Sequence, residues 1–182
     1  MRNLILFCLV LLLAGCSLQK QVPAVQTFDD LPYPFETQKV KLPGDLEVAY
    51  FDEGDGPRTL LFIHGLGSYA PAWKKNIAGL KEDFRCIAVD LPGYGKSSKG
   101  NYEDSMTYYA TVIRDLLDAL DIPRATLVGH SMGGQIALTA ALAFPDRVDR
   151  LVLVAPAGFE RFHKGEKQWF REVITPTPVR PW

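Results

Sequence analysis

Histidine and cysteine are scarce: the 182 residues hold three of each. Cys8 and Cys16 both fall in the first sixteen residues, which leaves Cys86 alone. No internal disulfide can therefore brace the rest of the chain. A lone cysteine in the apolar run Arg85 to Val89 reads as a small buried hydrophobe. The histidines, His64, His130 and His163, are scattered, and no cluster has metal-ligand spacing. The sequence thus calls for no metal and no cofactor. An excess of either charge is also lacking. Lys and Arg number 20 against 21 Asp and Glu, a net charge of -1, so no bulk field recruits nucleic acid or an anionic surface. The apolar run Leu4 to Leu13 has ten residues, about half of what a membrane-spanning helix requires. What remains is ordinary composition, 47% hydrophobic and 23% charged, enough for one domain with a core.

The short apolar run has a reading of its own. Arg2 precedes it and small residues follow, the pattern of a secretory signal over residues 1–15. Leu13-Ala14-Gly15-Cys16 resembles the bacterial lipobox. That resemblance implies cleavage before Cys16 and lipidation of its sulfur, a membrane tie without a spanning helix. The expected location is the bacterial cell envelope, lipid-anchored, in the outer membrane or facing the periplasm if the source is Gram-negative. Residues 16–36 hold Pro23, Pro32 and Pro34 without periodicity. They read as the lipidated cysteine and its tether.

From residue 37 the pattern changes. Thr37 to Leu42 and Leu46 to Phe51 are short strands around the turn Pro43-Gly44-Asp45. Thr59 to Ile63 and Arg85 to Val89 are buried strands. Between them Trp73, Ile77 and Leu80 recur at helical spacing behind Pro71. Met106, Tyr109, Ala110, Ile113, Leu116, Leu117 and Leu120 form a helical stripe, capped by Asp104 or Ser105. Ala125 to Gly129 is another strand, Gln135 to Phe144 a helix, and Val148 to Val154 a further strand. A hairpin followed by such alternation gives an α/β fold over residues 37–160, a mostly parallel sheet with helices on both faces. Ligands of such sheets bind beyond the carboxyl ends of the strands. Three loops meet there: His64 to Gly67, Asp90 to Ser97, and the turn at Ser131.

Gly129-x-Ser131-x-Gly133 is a nucleophile-elbow pattern, a sharp strand-to-helix turn that lifts one serine above the sheet. Glycines flank the serine because a Cβ there would meet a neighbouring element. The Met132 N–H then lies at a helix N-terminus, where it can stabilise an oxyanion. His64-Gly65-Leu66-Gly67, Asp90 to Ser98 and Gly129 to Gly134, in this order and spacing, resemble the α/β-hydrolase family. The resemblance is to its branch of small esterases, lipases and carbon–carbon bond hydrolases. It implies Ser131 as nucleophile and the backbone N–H groups of Leu66 and Met132 as oxyanion hole. His64, Gly65, Gly67, Gly129, His130 and Gly133 would support them. It implies a small acyl or ester substrate, and a monomer when full length. A serine rather than an aspartate at the elbow speaks against the haloalkane dehalogenase and epoxide hydrolase branches.

The family's triad runs Ser, then Asp or Glu, then His. No histidine here sits where the family has its base. His64 begins the oxyanion loop, His130 is expected to point away from the nucleophile, and His163 follows the sixth strand. Glu160 stands where some relatives hold the acid. Residues 161–182 read as the start of a cap. The expectation is an amino-terminal piece of a longer lipoprotein hydrolase, without its last strands and inactive by itself. Two alternatives stand beside it. A non-catalytic lipid-anchored binding protein could share the fold. A dinucleotide-binding oxidoreductase would use Gly65-x-Gly67-x-x-Ala70, with Asp90 as its ribose-binding acid. Gly95-Lys96-Ser97 looks like the end of a phosphate loop, but Asp90 stands where the first glycine is needed.

Overall fold

The computed structural model describes residues 27–159 and His163. Cys16 with the signal and the tether up to residue 26, Glu160, and the rest of the cap segment lie outside the described residues. β1 (Gln38–Leu42) and β2 (Leu46–Glu53) form the expected hairpin. Its turn holds Gly44 at φ 79° and Asp45 at φ 57°, a left-handed backbone that these two residue types tolerate. β2 lies antiparallel to β4 (Arg85–Val89), which runs parallel to β3 (Thr59–Ile63). β5 (Ala125–His130) lies beside β3, and β6 (Val148–Val154) follows, both parallel. The order across the sheet is β1-β2-β4-β3-β5-β6. This is the α/β sheet expected, antiparallel only at its start.

The central strands are apolar throughout because both faces are covered. Successive side chains go to opposite sides. Leu61, Ile63, Ile87, Val89 and Leu127 join one core, under α2 (Met106–Ala119) and α3 (Met132–Ala143). Phe62 and Ala88 join Phe51, Trp73 and Ile77 on the other face, beneath α1 (Lys74–Leu80). Pro71 opens the 3-10 turn Ala70–Trp73 that leads into α1. Ser105 caps α2, its Oγ accepting the Tyr108 N–H at 3.1 Å, so the cap is Ser105 and not Asp104. Cys86 is fully buried and unpaired. Burial pushes its thiol up to about 11, which suits an inert core residue.

The folded domain begins before residue 37. Leu31 to Glu36 belongs to it, because Tyr33 and Phe35 meet Phe51 edge-on with ring centroids 5.3 and 5.4 Å away. A proline-rich stretch without periodicity gives no signal of burial, which is why it reads as tether. Phe28–Asp30 is a 3-10 turn by itself, where the Asp30 carboxylate accepts the Thr27 N–H at 2.9 Å.

Among the described residues β6 pairs only with β5. Val152 and Val154 on it are 46% and 43% exposed. An unpaired edge with exposed β-branched side chains is a template for association. The 182-residue chain is expected to associate as its concentration rises in sedimentation runs, and Val152→Lys to suppress this. Unchanged association of the variant would place the adhesive surface elsewhere.

Candidate active site

β5 ends in a turn that no ordinary residue adopts freely. Ser131 sits at φ 53°, ψ -118°, a strained conformation that costs on the order of 1–3 kcal/mol and must be held by its surroundings. Its N–H donates to the Val154 carbonyl at 3.1 Å, and its own carbonyl accepts from Gly134 and Ala157 at 3.0 and 2.9 Å. The elbow is thus fastened to the end of β6. α3 starts at Met132, directly behind Ser131, and not at Gln135 as the alanine-rich composition indicates. Gly133 and Gly134 belong to its first turn because packing dictates them despite their poor helix propensity. A Cβ on Gly129 would lie 2.3 Å from the Gly133 carbonyl oxygen, and one on Gly133 2.2 Å from the Ile63 oxygen. Met132 is the first helical residue, so its N–H has no acceptor within the helix.

The loop after β3 closes over this turn. A Cβ on Gly65 would stand 3.1 Å from Ser131 Cβ and 3.2 Å from His130 Nδ1, so a larger residue there would have to move the elbow or the loop by a few tenths of an ångström. Gly67 adopts φ 68°, and the Ser68 N–H donates back to the Gly65 carbonyl at 3.2 Å. His64 is 1% exposed. Its Nδ1 lies 2.8 Å from the Gly65 carbonyl and its Nε2 accepts the Leu91 N–H at 3.1 Å. This pairing fixes a neutral ring that donates from Nδ1. Burial holds its pKa below the ordinary histidine value. With both nitrogens engaged, His64 is a structural residue of the loop, as its position in the sequence indicates.

Asp90 is fully buried. Oδ1 accepts the Ala70 N–H at 2.7 Å, and Oδ2 accepts the Lys96 N–H at 2.8 Å and the Tyr33 hydroxyl. A carboxylate so enclosed cannot reach a ribose, which removes the basis of the dinucleotide alternative. Ser97 closes the same loop. Its hydroxyl donates to the Asp90 carbonyl at 2.6 Å and accepts the Ala49 N–H at 2.8 Å.

A cavity of about 400 Å³ opens where these loops meet, lined by His64, Gly65, Leu66, Trp73, His130 and Ser131 among others. The structure thus brings His64, Gly65, Leu66, His130 and Ser131 together. Met132, Gly129 and Gly133 stand behind them. The Leu66 side chain is 67% exposed at the rim. His130 departs from expectation: it is exposed and shares the cavity with Ser131. Its ring lies against Gly65, because glycine leaves that space open. Among the described residues no hydrogen bond joins His130 to Ser131. His163 is exposed; Cys16 and Glu160 lie outside the described residues. Trp73 is a member of the site that its helical spacing hid. It is 7% exposed, and its indole N–H has no acceptor among the described residues.

His64 makes stability depend on pH. Its reference pKa is 6.5, and burial lowers it in the fold. Between the two values the unfolded chain binds a proton that the native chain does not. Stability therefore rises with pH through the window below 6.5 and falls as acid is added. The urea midpoint of His64→Gln is expected to drop less than that of the wild type between about pH 7 and about pH 5. Equal acid sensitivity of the two would assign the effect to another group.

Comparison with known proteins agrees with this geometry. The family model for the alpha/beta hydrolase fold matches residues 58–173. An uncharacterised protein of Mycobacterium tuberculosis is 48% identical over 110 residues, 60% of this chain and 32% of that protein. A bacterial membrane phospholipase A of known structure superposes with TM-score 0.69 at 30% identity, over 90% of this chain and 55% of its own. A meta-cleavage product hydrolase from Pseudomonas fluorescens gives TM-score 0.63 at 36% identity, over 69% and 46%. The chain spans about a third of the length of the first curated relatives it matches. A match of that extent, on a sheet of this order, shows that the chain belongs to the alpha/beta hydrolase fold family.

Proposed function

We propose that the protein is a serine hydrolase of ester-like bonds, with Ser131 as nucleophile. The observation that carries this reading is the strained Ser131 turn at the mouth of the cavity, held between β6 and the loop of Gly65. Strain of this kind collects at functional sites. Ser131 Oγ attacks the acyl carbon, and the carbonyl oxygen gains the charge. The N–H groups of Leu66 and Met132 stabilise that oxyanion, each worth about 10²–10³ in kcat. The hydroxyl proton passes to a general base and from there to the leaving group. Water then cleaves the acyl-enzyme and restores Ser131.

His64 is excluded as that base by its two engaged nitrogens. The base in this reading is none of the three histidines of these 182 residues, and His130 is a wall of the cavity. A serine without a positioned base is a weak nucleophile near its ordinary pKa. The 182-residue chain is thus expected to turn over short acyl esters slowly. In the whole protein Ser131→Ala should lower kcat by a factor on the order of 10⁶, the scale of losing a serine nucleophile. A fluorophosphonate probe should label wild type at Ser131 and leave the variant unlabelled. Hydrolysis that survives Ser131→Ala would place the chemistry elsewhere. Fast hydrolysis by the 182-residue chain that His130→Ala abolishes would make His130 the base.

The substrate class in this reading is a small acyl or ester compound. The protein works while held to the bacterial envelope through lipidated Cys16. Support for the anchor is the placement of Cys16 behind a short apolar run and Leu13-Ala14-Gly15. No helix among the described residues is long and apolar enough to cross a membrane. A fatty-acid analogue should label wild-type cells' protein and not Cys16→Ala. Equal labelling would overturn the anchor and leave the hydrolase reading untouched.

A further inference from the structure

The loop that carries Leu66 is held at both of its ends by two consecutive residues of the loop after β4. At its start His64 Nε2 accepts the Leu91 N–H at 3.1 Å, and at its end the Ala70 N–H donates to Asp90 Oδ1 at 2.7 Å. Among the described residues one side chain donates to the Asp90 carboxylate. It is the hydroxyl of Tyr33, from the segment ahead of β1. We propose that Tyr33 is a positioning residue for hydrolysis: its hydroxyl holds Asp90, and through Asp90 the loop end at Ala70, so that the Leu66 N–H meets the oxyanion. This rests on the reading of Ser131 as nucleophile and Leu66 as an oxyanion donor.

Tyr33 is fixed from the sheet and reaches both loops. Its ring meets Phe51 of β2 edge-on, with centroids 5.3 Å apart. The same ring lies 5.6 Å from that of Tyr69, the residue before Ala70, at a tilt of 40°. The Lys96 ammonium stands over it at 4.5 Å. The Lys96 N–H donates to Oδ2 of Asp90, the oxygen that the Tyr33 hydroxyl also reaches. Gly95 makes room for the pair, since a Cβ there would fall 2.4 Å from the Tyr33 hydroxyl oxygen. Burial, and then the Asp90 carboxylate, raise the pKa of Tyr33, so the hydroxyl keeps the proton that it donates.

Between its two ends the loop has little of its own to hold it. Gly67 stands at φ 68°, Ser68 N–H donates back to the Gly65 carbonyl at 3.2 Å, and the Leu66 side chain is 67% exposed. The ends therefore set where the Leu66 N–H lies. Without the Tyr33 hydroxyl, Asp90 keeps two backbone donors, Ala70 and Lys96, and the carboxylate loses its tie to the sheet. An oxyanion donor that drifts forfeits part of the stabilisation it gives when the charge develops. The ground state makes no use of that charge, so substrate binding is spared. Phe35 supplies the comparison. It anchors the same segment on Phe51 at 5.4 Å, yet carries no hydroxyl toward Asp90.

The test uses the whole protein and Tyr33→Phe, which keeps the ring and removes the hydroxyl. Active sites are counted by labelling to completion with a fluorophosphonate probe, and kcat for a short acyl ester is taken per labelled site. Tyr33→Phe should lower that kcat about tenfold, a part of the about 10²–10³ that losing a whole donor costs. KM should stay unchanged, as for an interaction made only in the transition state. Phe35→Leu should lower the urea midpoint and leave kcat per site unchanged. Unchanged kcat per site in Tyr33→Phe, a change confined to KM, or an equal loss in Phe35→Leu overturns the proposal. A Tyr33→Phe protein without any labelled site would make the hydroxyl a requirement of folding and overturn it too. Wild-type protein that fails to label at Ser131 would overturn the hydrolase reading and this inference with it. Labelled wild type beside a fully active Tyr33→Phe removes the positioning role alone.

Discussion

The site depends on backbones that approach more closely than any side chain allows. β5, α3 and the end of β3 meet where Gly129 and Gly133 have no Cβ, with virtual contacts of 2.3 and 2.2 Å. A methyl group at either place would push α3 away from the sheet. Ser131 would then lose the Gly134 hydrogen bond that helps to hold its left-handed turn. The same economy of volume works at Gly65, which lets the loop after β3 rest against Ser131 Cβ. Nucleophile, helix N-terminus and loop amides thus gather through the absence of side chains. An added polar contact would not achieve that.

Asp90 performs the second task, joining three segments that the sheet leaves separate. Its two oxygens take the Ala70 N–H from the loop after β3, the Lys96 N–H from the loop after β4, and the Tyr33 hydroxyl from the segment ahead of β1. A buried carboxylate is tolerated because each of its oxygens accepts from a donor. Gly95, at φ 47°, is part of the same arrangement: a Cβ there would fall 2.1 Å from Asp90 Oδ2. The glycine exists so that the loop can wrap the carboxylate. One hydrogen-bonded centre therefore sets the position of the loop that carries Leu66.

Much of this was legible in the residues. The strands Thr59–Ile63, Arg85–Val89 and Val148–Val154 announce themselves as short β-branched runs, and the structure has them at those bounds. The elbow was legible because its glycines and serine stand between a strand pattern and a helical one, the context that the motif needs. The start of α3 was not: glycine scores as a helix breaker, and only the close approach of β3 explains it in a first turn. Tyr33 and Phe35 were not legible either, since a ring that packs across 16 or more residues, as Phe35 does on Phe51, leaves no periodic trace. His130 reads as facing away from the nucleophile by the geometry of an elbow, yet its ring lies over Gly65, where no side chain fills the space.

Tyr33 also sets the length of a leash. Its bond to Asp90 fixes the point where the folded body ends and the chain toward Cys16 begins. From Cys16 to Tyr33 that chain makes 17 Cα-to-Cα steps, a reach of about 60 Å at most. For a protein held by lipid at Cys16, the Tyr33 end of the domain would then range through a shell only a few nanometres deep above the bilayer. In that proposed arrangement, an ester carried by the same membrane would be met by a surface search, governed by leash length and lateral density more than by diffusion through bulk water.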